Sequence, residues 1–284
     1  MQKLIQFASD YLNDDTGYSS NKGAIQHLFS TEFTDTWKGA YRQLVFLRLS
    51  VIDGAYSTNT DKIPYSLADL VDALAKNGNK PDVADRLLRE ELTDFVQNPG
   101  TEHERIVSLF NDHYGISSQK QNFGGEQGGK RISLLSKYAY FLCNKQFPIY
   151  DNLVKEELEN HYWDELSGSI SFDEKIYKNS SKYPELSSRT IIGYIRMINR
   201  LKQRWGAENY DVLDNFFWLC GKVRNGSYSL ILPKKHYEYC LKENNWDRFF
   251  PPEKMELWLH SDAFPSLGNK EKLLNVITWL NQTT

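Results

Sequence analysis

Apolar residues recur three and four positions apart over most of this chain, and that spacing constrains the fold more than any other feature. Such a repeat lines one side of a helix, whereas a half-buried strand needs alternation. Over residues 36–56, Trp37, Tyr41, Leu44, Val45, Leu47, Leu49, Val51 and Ile52 follow it, with Thr34 or Asp35 placed to cap. A long core helix is expected there. Shorter helices are expected over 66–77, 81–98 and 101–113; Pro81 suits a first helical turn, where its missing N–H has no partner to lose. Residues 130–142, 152–162, 187–205, 211–223, 234–244 and 269–280 complete the set. The best hairpin signal is 223–232, around Asn225-Gly226. The expected class is all-α, with at most a small β-hairpin.

A chain of 284 residues with 40% hydrophobic and 14% aromatic side chains can build one large core or two modest ones. It has no run of eighteen apolar residues, and its first eleven residues alternate apolar and polar side chains. A cytoplasmic protein that neither spans a membrane nor is exported is the expectation. Cys143, Cys220 and Cys240 are far apart in apolar company, and the six histidines show no pair at metal-ligand spacing. An iron–sulfur cluster needs four thiolates, so the chain cannot build one alone. No metal or cofactor is expected, and a monomer is.

The net charge of -3 argues against indiscriminate coating of nucleic acid. Between Ser118 and Tyr150, however, five basic residues stand against Glu126 alone, so this segment carries +4 and the rest of the chain -7. A local basic face suits an anionic partner contacted over a limited footprint. The segment contains Asn122-Phe-Gly-Gly-Glu-Gln-Gly-Gly129, either a loop of unusual dihedrals or close backbone approach, or a plain surface loop. Arg189, Arg196 and Arg200 share a second basic face, which reads either as a phosphate contact or as a solvated helix surface. Asp151 follows Phe147-Pro148 and stands at a helix N-terminus, where free N–H groups favour a carboxylate; it is either a functional acid or a cap.

The stretch Asn144-Lys-Gln-Phe-Pro-Ile-Tyr-Asp-Asn-Leu-Val-Lys-Glu-Glu-Leu158 resembles the segment that carries the catalytic aspartate in HhH-GPD (helix-hairpin-helix) DNA glycosylases, nearest to the MutY type. The matching residues are Phe147, Pro148, Ile149, Asp151, Val154 and Lys155. Bifunctional members hold a lysine nucleophile eighteen residues before the aspartate, where this chain has Ser133. The resemblance therefore implies Asp151 as the catalytic carboxylate and base removal by water, without Schiff-base strand cleavage. It implies two helical lobes with a cleft between them, divided as a helical region over 1–120, the helix-hairpin-helix segment over 121–165, and a completing helical region over 166–284. The usual Leu-Pro-Gly-Val-Gly turn is replaced by Glu126-Gln-Gly-Gly-Lys-Arg131. Gly128 and Gly129, with Lys130, Arg131 and Lys137, are the residues expected to hold the backbone of double-stranded DNA.

Cleaving an N-glycosidic bond develops positive charge on the sugar, which a nearby carboxylate stabilises while it orients or deprotonates water. The base must first leave the stack and enter a pocket. Asp53, Tyr56 and Tyr150 are the pocket candidates, although Gly54 is also read as closing a helix at that point. The expected function is that of a monofunctional glycosylase acting on a damaged or modified base, in repair or in defence against phage with modified DNA. A non-catalytic DNA-binding module with Asp151 as a cap, and a general helical interaction protein, are the other readings.

Overall fold

The computed structural model describes residues 1–13, 17–56, 66–76, 80–114, 129–161, 190–225, 231–232, 256, 259–260 and 270–282. They are mostly helical, and no helix among them is long and apolar enough to cross a membrane. The expected helix over 234–244, the polar stretch over 167–184, Arg189 and Cys240 lie outside the described residues. The chain divides into two compact units, one comprising Ala24–Asp151 and Ser167–Asn199, the other Met1–Gly23, Asn152–Leu166 and Arg200–Thr284.

In the first unit the helices are α3 (Thr31–Asp35), α4 (Tyr41–Tyr56), α5 (Ser66–Ala75), α6 (Pro81–Gln97), α7 (Glu104–Asn111) and α8 (Ile132–Leu142). The helix expected from residue 36 begins only at Tyr41. Gly39 takes a φ of +82°, which interrupts helical hydrogen bonding, and Thr34 and Asp35 belong to α3. The cap of α3 is Ser30, whose Oγ accepts from the Phe33 N–H at 3.2 Å. Helix α7 is shorter than expected, because Asp112 turns extended and delivers His113–Tyr114 (β1) to pair antiparallel with Gly129–Lys130 (β2). Lys130 therefore stands in a two-residue strand, not in the helix expected over 130–142.

Leu44, Val45, Leu49 and Ile52 of α4 meet the buried faces of α5 and α8, while Leu88, Leu92 and Phe95 of α6 close the core from another side. Arg48 sits fully buried among them. Its Nη1 donates to both Asp85 oxygens at 3.0 and 2.8 Å, Nη2 to Thr34 Oγ1 at 2.7 Å and Nε to the Leu28 carbonyl at 2.9 Å. The guanidinium also lies 4.4 Å from the Phe29 ring centroid. A buried charge is tolerated because almost every donor of the fork is answered.

The second unit contains α1 (Gln2–Asn13) and α9 (Asn152–His161), while α2 (Gly17–His27) belongs to it as far as Gly23 and to the first unit from Ala24; sequence periodicity did not single out α1 or α2. Helix α10 (Ile191–Trp205) belongs to the first unit as far as Asn199 and to the second from Arg200. The last two are α11 (Tyr210–Arg224) and α12 (Lys270–Gln282). Helix α1 packs on α11 and α12, burying Ile5, Ala8, Tyr11 and Leu12. Lys22 donates to Asp211 Oδ1 and Asn215 Oδ1, both at 2.8 Å, and so ties α2 to α11. Helix α9 lies so close to α11 that a Cβ at Gly221 would overlap the Leu153 side chain. The hairpin expected over 223–232 is not what its first residues form. Val223 and Arg224 end α11, and Asn225 has a φ of -81°, without the positive φ a type I′ turn requires; residues 226–230 lie outside the described set.

Glu157 of α9 accepts from Arg224 Nε of α11 at 3.2 Å. Burial pushes its carboxyl from 4.5 up to about 7, against the opposing pull of Arg224. The folded state thus binds this proton more tightly than the unfolded chain, so its contribution is fully present below pH 4.5 and is lost as pH rises through 7. At about 1.4 kcal/mol per unit, the unfolding free energy should fall by on the order of 3 kcal/mol across that window. Urea denaturation of wild type and Glu157→Gln at several pH values checks this, the variant being expected to show a flatter profile.

Candidate active site around Asp151

Helix α8 is apolar around nearly its whole circumference, and every residue from Leu134 to Leu142 is buried. A helix of that kind belongs in a core, so its few polar side chains must find partners there. They are Ser133, Ser136 and Lys137, at i, i+3 and i+4 on one face. The helix ends at a sharp reversal in which Asn144 and Lys145 take φ values of 48° and 66°, and the Lys145 N–H reaches the Tyr140 carbonyl at 2.7 Å. The chain then runs back along α8 as far as Asp151.

That returning segment is fixed from several sides. The Phe147 ring stacks on Phe110 at 5.7 Å, the Tyr150 N–H donates to Ser136 Oγ at 2.9 Å, and the Tyr194 hydroxyl donates to the Ile149 carbonyl at 2.5 Å. Tyr150 and Tyr194 also meet edge to face at 4.9 Å. Asp151 is thereby held directly before α9, where the helix macrodipole favours its negative charge.

The Asp151 side chain is one-third exposed, at 33%, while Lys137 behind it is only 3% exposed. Lys137 Nζ lies 3.5 Å from Asp151 Oδ2, donates to Ser133 Oγ at 2.7 Å, and sits 5.4 Å from the Tyr56 ring centroid. Four of the residues singled out from sequence therefore form one cluster: Tyr56, Ser133, Lys137 and Asp151. The spacing of eighteen residues between Ser133 and Asp151 becomes spatial proximity through the lysine that both approach.

The other expectations fare differently. Lys137, expected among the DNA-backbone contacts, has a buried ammonium engaged by a carboxylate, a hydroxyl and a ring. Gly54 does not close α4, which continues through it to Tyr56, so Asp53 and Tyr56 share the last helical turn. Tyr150 is nearly buried and packed on Tyr194, and Tyr138 is core, edge to face with Phe29. Arg131 precedes α8; its Nε and Nη2 are buried without a hydrogen-bond partner among the described residues, and burial draws its guanidinium below the usual range against the opposing attraction of Asp53. Gly129 and the Lys130 backbone lie in β2, whereas Gly128 and residues 122–127 are outside the described residues. Of the arginine face, Arg196 donates from Nε and Nη2 to the Pro99 carbonyl at 3.0 and 2.8 Å. It serves the fold there.

Sequence reading missed Ser136 and Tyr194, the two side chains that pin the segment before Asp151. A serine inside the otherwise apolar run of α8 was the available signal for the first; the second offered none, because its partner is a backbone carbonyl. Among the described residues no group of three His, Cys, Asp or Glu side chains is placed to hold a metal ion. Comparison of the chain with family models, curated proteins and solved structures finds no match.

Ser136→Ala should leave the buried Tyr150 N–H without an acceptor, which costs about 1–3 kcal/mol. Urea unfolding of the variant measures that loss. A change within a few tenths of a kcal/mol would mean that the 149–151 segment is held without this bond.

Proposed function

We propose that this chain is a monofunctional DNA glycosylase of the helix-hairpin-helix type, which flips out a damaged or modified base and hydrolyses its N-glycosidic bond to leave an abasic site. The observation that carries the reading is Asp151: a partly exposed carboxylate, directly preceding a helix in the chain and paired with a buried lysine, in the one segment whose sequence resembles a catalytic segment. Its neighbour Ser133 occupies the position where bifunctional relatives have their lysine. In the proposed reaction the Asp151 carboxylate faces the positive charge that develops on the sugar and directs a water to C1′. The Gly129–Lys130 strand and Arg131, at the entrance to α8, are assigned to the DNA backbone, with Asp53 and Tyr56 beside the departing base. Repair of damaged bases and defence against phage with modified DNA are both uses of this chemistry. The alternative, a non-catalytic DNA-binding module, draws its support from the Lys137–Asp151 ion pair, which a purely structural cap would also form.

The experiment is a panel of duplexes, each carrying a different modified base, treated with protein and then with alkali. Wild type should yield breaks at one or a few of them, and only after heat or alkali. Asp151→Asn should release no base while binding the same duplex. A folded Asn variant with full activity would remove Asp151 from the chemistry, and a wild type inactive across the panel would favour the binding module.

Phosphate contacts release counterions, so each one lost lowers the log–log salt slope of duplex binding by roughly 0.9. Lys130→Ala and Arg131→Ala are each expected to do so by about that amount, equally for every sequence tested, since phosphates carry no base identity. Wild-type affinity and slope in both variants would place the DNA footprint elsewhere.

A further inference from the structure

The ammonium behind Asp151 has a geometry that the proposed hydrolysis does not explain. Lys137 is nearly inaccessible, yet its Nζ is drawn to the one carboxylate assigned to the chemistry, at 3.5 Å, with Ser133 Oγ at 2.7 Å and the Tyr56 ring at 5.4 Å around it. A lysine amine beside a carboxylate can serve in two ways. As a nucleophile it must shed its proton and present a lone pair to the sugar. As an ammonium it must stay charged and hold the carboxylate. The contacts favour the second: Ser133 Oγ accepts a hydrogen bond from Nζ, Asp151 supplies an anion, and the Tyr56 face supplies π density, an arrangement suited to a cation. Accessibility agrees, because the solvent-facing group of the pair is the carboxylate.

We propose that Lys137 is a positioning residue: its buried ammonium, steadied by Ser133 and Tyr56, clamps the Asp151 carboxylate in one orientation and does not attack the sugar. This rests on the glycosylase reading given above. The consequence is a division of labour within one turn of α8, in which Ser133 holds Lys137 and Lys137 holds Asp151. Displacing a reacting group by about 1 Å can cost about a hundredfold in rate, so losing the clamp should act on the chemical step and leave DNA binding in place.

The test is single-turnover base release on whichever duplex the panel shows to be cleaved, with affinity measured on a duplex carrying an abasic-site analogue. Lys137→Met should slow release roughly ten- to a hundredfold while the affinity stays within about twofold. Ser133→Ala, which leaves the ion pair and the packing in place, should slow it severalfold; it carries the test if Lys137→Met does not fold. Lys137→Ala should regain part of its rate in propylammonium chloride and none in sodium chloride of equal ionic strength, a response that a merely structural lysine would not give. Unchanged rates in folded Lys137→Met or Ser133→Ala would overturn the proposal. So would a borohydride-trapped complex with an abasic duplex that disappears in Lys137→Met, since the lysine would then be a nucleophile. A wild type inactive on every duplex overturns the glycosylase reading and this inference with it, and active wild type with unaffected variants overturns this inference alone.

Discussion

The burial of α8 is the constraint on which the rest of the candidate site depends. A helix closed off from water on nearly all sides cannot carry serines and a lysine unless the surrounding chain answers them, because an unanswered buried polar group costs several kcal/mol. The answers come from a tight set of neighbours. Ser136 accepts from the Tyr150 backbone, Ser133 accepts from Lys137, and Lys137 meets Asp151. Three contacts made to satisfy one helix therefore also fix the backbone, the orientation and the electrostatic surroundings of the carboxylate. The strained reversal at Asn144 and Lys145 belongs to the same device, since it turns the chain back antiparallel to α8 over the shortest distance.

The first unit solves a similar problem a second way. Arg48 brings a full positive charge into an apolar core, and the surrounding chain meets it with Asp85, Thr34, the Leu28 carbonyl and the Phe29 face. Tyr41 adds a donor to Asp85 Oδ1 at 2.8 Å. The contrast with Lys137 is in the anion. Asp85 is as buried as its arginine, whereas Asp151 remains one-third open to solvent. A carboxylate whose only task was to neutralise a buried cation gains nothing from that opening.

Helix existence was legible from the apolar spacing wherever a face is buried, as in α4, α6, α8 and α11. The same spacing runs through α1, where Leu4, Ile5, Ala8, Tyr11 and Leu12 line one face, and was overlooked there; it is illegible at α2, which is polar except at Tyr18, Ala24 and Ile25. Boundaries were set by local chemistry that periodicity ignores: the positive φ at Gly39, the extended Asp112, the pairing of β1 with β2. Asn225-Gly226 misled because a turn dipeptide signals a hairpin only between strands, and α11 runs on through Arg224 to the Asn225 cap. Asp151 and Ser133 were readable as a spacing along the chain. The role of Lys137 was not, since nothing in the sequence states that a lysine in a basic segment points inward.

A cation behind a carboxylate raises a question of charge balance for any reaction that builds positive charge on a sugar. Suppose the sugar approaches the exposed side of Asp151, with the carboxylate at about 3 Å and Lys137 on the far side at about 6 Å. With an effective dielectric constant of about 20, the attraction is about 5.5 kcal/mol and the repulsion about 2.8 kcal/mol. About half of the carboxylate's pull survives, so the ammonium weakens the electrostatic stabilisation without cancelling it. What it supplies in exchange is geometry: a carboxylate on a freely rotating side chain spends only part of its time aimed at the reacting carbon, and fixing its direction removes that entropy before the substrate arrives. The arrangement favours a mechanism in which the direction of Asp151 matters as much as its charge, and that is the requirement of a group that must both face a sugar cation and aim a water at it.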